Sequence, residues 1–199
     1  MATDIDIDTS EHESFYRSPE ELLAGVDRVR ESPRDQGVVE LVVVRPAKYD
    51  RRILDTATLD LELGIVGDTW IERGSSRTAD GGPNPEAQVT VMNSRAADLV
   101  AATRERWPLA GDQLYVDLDL SAENLPTGTV LRIGDAELEV TAAPHTGCAQ
   151  FKERFGVEAL RLTATPDGRF LRLRGINTRV VRGGDIRVGD TVAVTRPDA

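Results

Sequence analysis

The chain has 199 residues, 40% of them hydrophobic and 29% charged, a balance typical of a soluble globular protein and not of a disordered one. Its formal net charge of −10 argues against nucleic-acid binding, because phosphate backbones require clustered cations. No stretch approaches the roughly 20 apolar residues of a membrane span, and the acidic N-terminus lacks the apolar segment of a secretory signal, so we expect a cytoplasmic protein without membrane contacts.

The N-terminal part divides into a tail and a helix. Residues 1–17 are acidic and polar without hydrophobic periodicity, which predicts a disordered tail. The motif Ser18-Pro19-Glu20-Glu21 combines an N-cap serine with a proline and early acids, and it predicts a helix that ends near Arg30. We therefore divide the chain into a tail (1–17), a helical appendage (18–36) and one domain (37–199).

The first half of the domain mixes strands, a loop and a helix. Residues 38–44 form a continuous β-branched run and predict a buried strand, and the alternating leucines of 58–63 predict a half-buried strand or extended segment. Residues 73–86 consist of turn formers and polar residues, which predict a flexible loop that is long enough to act as a lid or an interface. A strand at 88–92 follows, and then a helix from Asn93 or Ser94 to Trp107, closed by Pro108.

The second half is predicted to contain short strands separated by glycine-containing turns. The candidate strands are 114–116, 130–133, 137–142, 160–163, 170–173, 178–181 and 191–194. Many short strands at close spacing, with few helices, favour a closed or nearly closed β-barrel over a doubly wound α/β sheet.

The C-terminal part of this acidic chain is locally basic. Nine arginines face four acids between residues 154 and 196. Arginines that alternate along strands are typical of a solvated face, but a guanidinium group also binds phosphates and carboxylates through two parallel hydrogen bonds. The second interpretation predicts a pocket for an anionic small molecule.

Cys148 is the only cysteine, which excludes a disulfide within the chain and a cysteine-rich zinc site. One interpretation is an inert buried thiol, but the residue follows a predicted strand, at a loop position where functional sites are common. If the next residues form a brief helix, the helix dipole and nearby His145 favour the thiolate. Such a thiolate can ligate a soft metal, carry a persulfide or attack an electrophile, and the residues alone leave all three open.

Two enzyme classes are disfavoured. A papain-like protease requires a histidine downstream of its cysteine at a characteristic spacing. Apart from His145, the only histidine here is His12, which lies in the predicted tail. Catalysis with pyridoxal phosphate requires a desolvated lysine. Lysine occurs only at Lys48 and Lys152, so we do not expect this chain alone to use that cofactor.

Three sequence blocks occur in a characteristic order. They are LGIVGD (63–68), AENLPTGTVLRIGDAELEVTAAPHTGC (122–148) and RLRGINTRVVRGGDIRVGD (172–190). In their order, their spacing and the position of the cysteine they resemble the MOSC domain, the module found at the C-terminus of molybdenum cofactor sulfurases and in free-standing bacterial proteins. The resemblance spans about residues 38–195.

This resemblance implies a mainly β fold, a barrel similar to that of pyruvate kinase with a few short helices. It also implies that Cys148 either ligates the molybdenum of a bound molybdopterin cofactor or carries sulfur as a persulfide in metal-sulfur cluster or cofactor assembly. A phosphate-bearing pterin requires cations and hydrogen-bonding groups near the thiolate. The candidate cofactor-binding residues are Arg174, Asn124, His145, Thr146 and Arg45.

The chain departs from the family pattern at two places. Many free-standing members have a Lys-x-His-Gly-Gly stretch after the Gly-Asp motif, whereas Ala79-Asp80-Gly81-Gly82 here contains no histidine, so no role of that histidine carries over. In addition, His145-Thr146-Gly147 replaces the commoner arginine-containing approach to the cysteine. No sulfurase domain precedes the module, so carried sulfur would come from a partner such as a cysteine desulfurase.

Three hypotheses follow from the sequence. The first is an oxidoreductase that depends on the molybdenum cofactor, with Cys148 as metal ligand, a redox partner protein and a small reducible substrate, for example an N-hydroxylated compound as in some relatives. The second is a sulfur carrier that holds a persulfide on Cys148. The third is a binding module that holds a cofactor without turnover and in which Cys148 is structural.

Overall fold

The computed structural model describes residues 3–5 and 12–198. The strands are β1 (Thr3–Ile5), β2 (Gln36–Val44), β3 (Arg51–Leu54), β4 (Thr56–Asp60), β5 (Gly64–Ile65), β6 (Val89–Asn93), β7 (Leu114–Asp117), β8 (Val130–Ile133), β9 (Ala136–Val140), β10 (Ile176–Arg182), β11 (Gly184–Arg187) and β12 (Thr191–Thr195). The α-helices are α1 (Pro19–Arg30), α2 (Ser94–Ala101), α3 (Ala149–Ala164), which is broken at Gly156, and α4 (Pro166–Phe170). The 3-10 helices are His12–Phe15, Thr69–Glu72, Pro85–Ala87 and Arg104–Ala110.

Within the described ranges, seven strands close into a barrel in the order β2, β12, β8, β9, β10, β6 and β7. The pairing of β7 with β2 completes the ring, and β6 and β7 form its parallel pair. Outside the ring, β3 and β1 extend the sheet from β2, while β11, β4 and β5 form a small second sheet. The barrel predicted from the sequence is confirmed.

Two hydrophobic cores form from the described residues, one on each face of the barrel wall. A bulge in β2 between Val39 and Leu41 shifts the alternation of its side chains by one residue. As a result Val42 and Val44 point into the barrel with Val39, while Leu41 and Val43 pack outside against the helices. The continuous apolar run of this strand therefore serves both cores.

Helix α1 forms as predicted. The hydroxyl of Ser18 accepts a hydrogen bond from the amide of Glu21, and the Glu21 carboxylate accepts one from the amide of Ser18. Leu22, Val26 and Val29 are buried in the outer core, which docks the helix on the barrel. No helix in the described ranges is both long and apolar enough to cross a bilayer.

The predicted disordered tail differs from the structure in its described parts. Strand β1 pairs with β3, the 3-10 helix His12–Phe15 packs against α3, and the hydroxyl of Tyr16 donates to the carbonyl of Glu153. Backbone pairing with a free strand edge supplies order that polar composition does not reveal. Residues 1–2, 6–11 and 199 lie outside the described residues.

Two boundaries were predicted wrongly. Strand β4 ends at Asp60, whose carboxylate accepts hydrogen bonds from the next turn, and Leu61 and Leu63 are exposed. The helix expected to reach Trp107 ends at Ala101, and a 3-10 helix that contains Pro108 follows it. In both places local turn chemistry prevails over the apolar pattern.

Two predicted strands are absent from the structure, which has a helix at one position and a helix end with a turn at the other. Residues 160–163 belong to α3, and residues 170–173 run from the end of α4 into a turn. Ala159 and Leu162 are buried at helical spacing against the outer core, so tertiary packing selects the helix. The strands predicted at 38–44, 88–92, 114–116, 130–133, 137–142, 178–181 and 191–194 are confirmed with shifts of their ends.

Candidate functional site

The loop that carries Cys148 joins the barrel strand β9 to helix α3 and is held from two sides. The side-chain amide of Asn177 in β10 donates to the carbonyl of Ala143 at 3.1 Å, and the guanidinium of Arg77 donates to the carbonyl of Pro144 at 3.2 Å. Cys148 is the N-cap residue of α3, so the predicted helix does follow it, and its side chain is exposed.

His145 belongs to a chain of hydrogen-bonded polar side chains at the base of this loop. Its Nε2 lies 2.7 Å from Oδ1 of Asp112, and Oδ2 of the same carboxylate accepts a hydrogen bond of 2.5 Å from Arg174. Asp112 is completely buried. The Nε of Arg174 is also buried and has no hydrogen-bond partner among the described residues.

The charges of this chain follow from its burial. Although burial opposes the change, the positive charge of Arg174 and the contact with His145 lower the pKa of Asp112 to about 2. Burial and the charge of Arg174 lower the pKa of His145, and Asp112 only partly offsets them. At neutral pH the site therefore holds a carboxylate, a guanidinium and a neutral imidazole.

In the described part of the chain, four arginines from separate segments bind four consecutive carbonyls at the end of the 3-10 helix Arg104–Ala110. We call them the arginine collar. Arg51 donates to Pro108 at 3.3 Å, Arg154 to Leu109 at 2.7 Å, Arg174 to Ala110 at 2.8 Å and Arg45 to Gly111 at 3.0 Å. Carbonyls at a helix C-terminus carry partial negative charge, which favours cations there.

The collar carries more positive charge than its carboxylates neutralise. Asp68 pairs with Arg45, and Asp112 pairs with Arg174. Burial, together with repulsion from Arg154 and Arg45, lowers the pKa of Arg51 to about 10. Burial also lowers the pKa of Arg154, and its electrostatic interaction with Cys148 opposes this shift, so Arg154 lies within electrostatic range of the cysteine.

A cavity of about 650 Å³ lies beside the Cys148 loop, between the barrel end and helices α3 and α4. Residues His145 to Gly147 form one wall, and Arg169, Arg172 and Arg174 line it as well. Apolar side chains, among them Leu160 and Ile176, line the rest of its surface together with small polar groups. Its volume is within the range of small-molecule sites.

The structure brings four of the predicted site residues together. His145, Thr146 and Arg174 line the cavity, and Cys148 follows directly after its wall. Their grouping arises because the loop after β9 and the segment before β10 meet at the same end of the barrel.

The other two candidates, Asn124 and Arg45, do not line the cavity and already have partners. The side-chain amide of Asn124 donates to the carbonyls of Arg34 and Asp119, and its oxygen accepts from Arg196. Arg45 forms a buried two-point ion pair with Asp68. Asp68 orders its loop by accepting hydrogen bonds from the amides of Arg45 and Trp70.

Sequence reasoning missed several polar residues of the site. Asp112 stands alone between a glycine and a strand, and Arg51 begins a strand that was not predicted. The excess of arginine between residues 154 and 196 was the one available signal of these site residues, and it included Arg154 and Arg172.

The MOSC domain family matches residues 76–193 of this chain. No curated protein matches its sequence. Two solved structures are similar in fold, the YuaD protein from Bacillus subtilis and YiiM from Escherichia coli. The first has a TM-score of 0.59 at 18% identity and covers 82% of this chain and 97% of its own. The second has a TM-score of 0.53 at 18% identity and covers 81% of this chain and 71% of its own.

Proposed function

The chain belongs to the MOSC domain family, and from this premise we propose that it binds the molybdenum cofactor, molybdopterin, with Cys148 as the molybdenum ligand and acts as a small oxidoreductase. The observation that carries the proposal is the exposed thiol of Cys148 at the N-terminus of α3, within electrostatic range of Arg154 of the arginine collar. A redox partner protein would supply or accept the electrons.

The residues present fit such a group. Molybdenum accepts a soft sulfur donor, and the thiol of Cys148 is exposed to receive it. A phosphorylated pterin is anionic, and the collar holds buried positive charge that its two carboxylates leave in excess. When bound, the cofactor supplies redox chemistry at its metal.

Each residue of the site has a distinct task in this proposal. Cys148 anchors the metal, while Arg154 and Arg51 attract the anionic groups of the cofactor. Arg174 and Asp112 hold the ring of His145 in place, so that its second nitrogen is available as a hydrogen-bond acceptor in the cavity. Thr146 offers a hydroxyl beside it. Asn124 and Arg45 support neighbouring loops, because their polar groups already have partners.

The test is metal analysis by mass spectrometry on protein expressed in a host that makes molybdopterin. The wild type is expected to contain nearly one molybdenum per chain, and Cys148→Ala is expected to lose it. Lys152→Ala is the matched control, because Lys152 is exposed one turn further along the same helix and is expected to keep the metal. Absence of molybdenum from the wild type would overturn the proposal.

The exposure of Cys148 also favours a second candidate, sulfur transfer. Its thiolate would attack the terminal sulfur of a cysteine desulfurase persulfide, so that a new sulfur–sulfur bond forms on Cys148. The sulfur–sulfur bond of the desulfurase would break, and its cysteine would leave as a thiol that takes the proton of the persulfide. The test is incubation with a desulfurase and cysteine, followed by cyanide release of sulfane sulfur. One sulfane sulfur per chain that is lost in Cys148→Ala supports this role, and none in the wild type excludes it.

A further inference from the structure

We propose that the 650 Å³ cavity beside Cys148 binds an anionic substrate, a small organic molecule whose carboxylate or phosphate group is held by Arg172 and Arg169. The inference rests on the proposed function for the reaction that such a molecule would undergo. The binding step itself belongs to this chain alone and can be measured on metal-free protein.

The charge of the cavity wall is the first argument. Its described lining contains three arginines and no aspartate or glutamate. The charge of Arg174 is neutralised by Asp112. In contrast, Arg172 donates to a neutral group, the backbone carbonyl of Leu125, at 2.8 Å, and Arg169 is exposed. An organic anion would supply the missing negative charge through the paired hydrogen bonds that guanidinium groups form with carboxylates and phosphates.

The backbone at Arg172 is the second argument. This residue has φ 49°, a left-handed conformation that is uncommon for residues other than glycine. The turn is fixed by a hydrogen bond of 2.7 Å from the amide of Gly175 to the carbonyl of Arg172. Strained backbone of this kind concentrates at ligand-binding sites, and here it directs a long basic side chain to the cavity wall.

The remaining wall fits the rest of such a molecule. Leu160, Ile176 and Pro144 contribute apolar surface for an organic body. His145 and Gly147 line the cavity next to Cys148. A substrate anchored at Arg172 and Arg169 would therefore lie in the same cavity as the loop that leads to the cysteine.

The experiment is isothermal titration of the metal-free protein with benzoate, phenyl phosphate and benzamide, the neutral match of benzoate. We expect both anions to bind at least about tenfold more tightly than benzamide, since one hydrogen-bonded charge is worth roughly 1.4 kcal/mol or more. Arg172→Gln and Arg169→Gln are each expected to lose about tenfold in anion affinity. Arg169→Gln is included because Arg169 is exposed, so that its replacement leaves the fold intact. Arg179→Gln is the control, since Arg179 pairs with Glu139 outside the cavity.

The outcomes separate this inference from the proposed function. Equal affinity for benzoate and benzamide, or unchanged affinity in both cavity variants, overturns the inference whatever the metal content. Anion binding that persists in Cys148→Ala supports it independently of molybdenum. If Arg172→Gln or Arg169→Gln loses molybdenum when expressed with molybdopterin, the anion site belongs to the phosphate of the cofactor and the substrate assignment is wrong.

Discussion

The Nε2 atom of His145 lies 2.7 Å from Oδ1 of the fully buried Asp112. Because Asp112 is a carboxylate at neutral pH, Nε2 must carry the proton of the neutral ring. The Nδ1 atom is then an acceptor, in a side chain that lines the cavity beside Cys148. This contact therefore fixes the tautomer that a ligand would meet.

The first prediction is a pH dependence of stability that arises from His145. Burial and Arg174 lower its pKa from the ordinary value of 6.5, so below that pH the unfolded chain takes up a proton that the folded protein does not. The free energy of unfolding should be highest above this value and should fall as the pH decreases below it. Urea unfolding between about pH 5 and 8 should show a weaker decrease in His145→Gln than in the wild type. Identical pH profiles would contradict this.

Replacement of Asp112 by asparagine should strongly destabilise the protein. The substitution leaves the buried charge of Arg174 without its carboxylate, which costs about 3–5 kcal/mol. Chemical denaturation measures the loss. Glu139→Gln, which removes the partner of the exposed Arg179, is the control and should change stability by about 1 kcal/mol or less. A loss for Asp112→Asn as small as that of the control would show that the buried pair is not coupled.

The third prediction separates backbone strain from steric clash at Gly175. A Cβ atom at Gly175, which has φ +102°, would lie 2.5 Å from the carbonyl oxygen of Val91. Gly67 has a similar φ of +88° with nothing within 4 Å of the corresponding position. Gly67→Ala should therefore cost about 1–2 kcal/mol of unfolding free energy, and Gly175→Ala about 1–3 kcal/mol more. Equal losses would show that the turn before β10 can move aside.

The fourth prediction concerns the accessibility of Cys148. Because this thiol is exposed, the folded protein should react with one equivalent of Ellman's reagent per chain without denaturant. Cys148→Ala should not react, since the chain has no other cysteine. A wild-type thiol that reacts only after unfolding would favour the hypothesis in which the cysteine is structural.

Local patterns in the sequence determined much of the secondary structure of this protein. The β-branched run of β2, the capping motif of α1, and the loop and helix around Cys148 were predicted because each depends on neighbouring residues. Helix α3 was only partly predicted, since residues 160–163 of its second half were predicted as a strand and packing against the outer core selects the helix instead.

Only the tertiary structure decided the composition of the site. Arg51, Arg154 and Arg174 come from separate segments and meet at successive backbone carbonyls, a geometry that leaves no trace in side-chain periodicity. Asp112 acquires its role only when the barrel closes and brings His145 and Arg174 to it. The sequence determined most of the barrel strands and the single cysteine, whereas long-range contacts determined the charges near that cysteine, because hydrogen bonds between distant segments depend on chain topology.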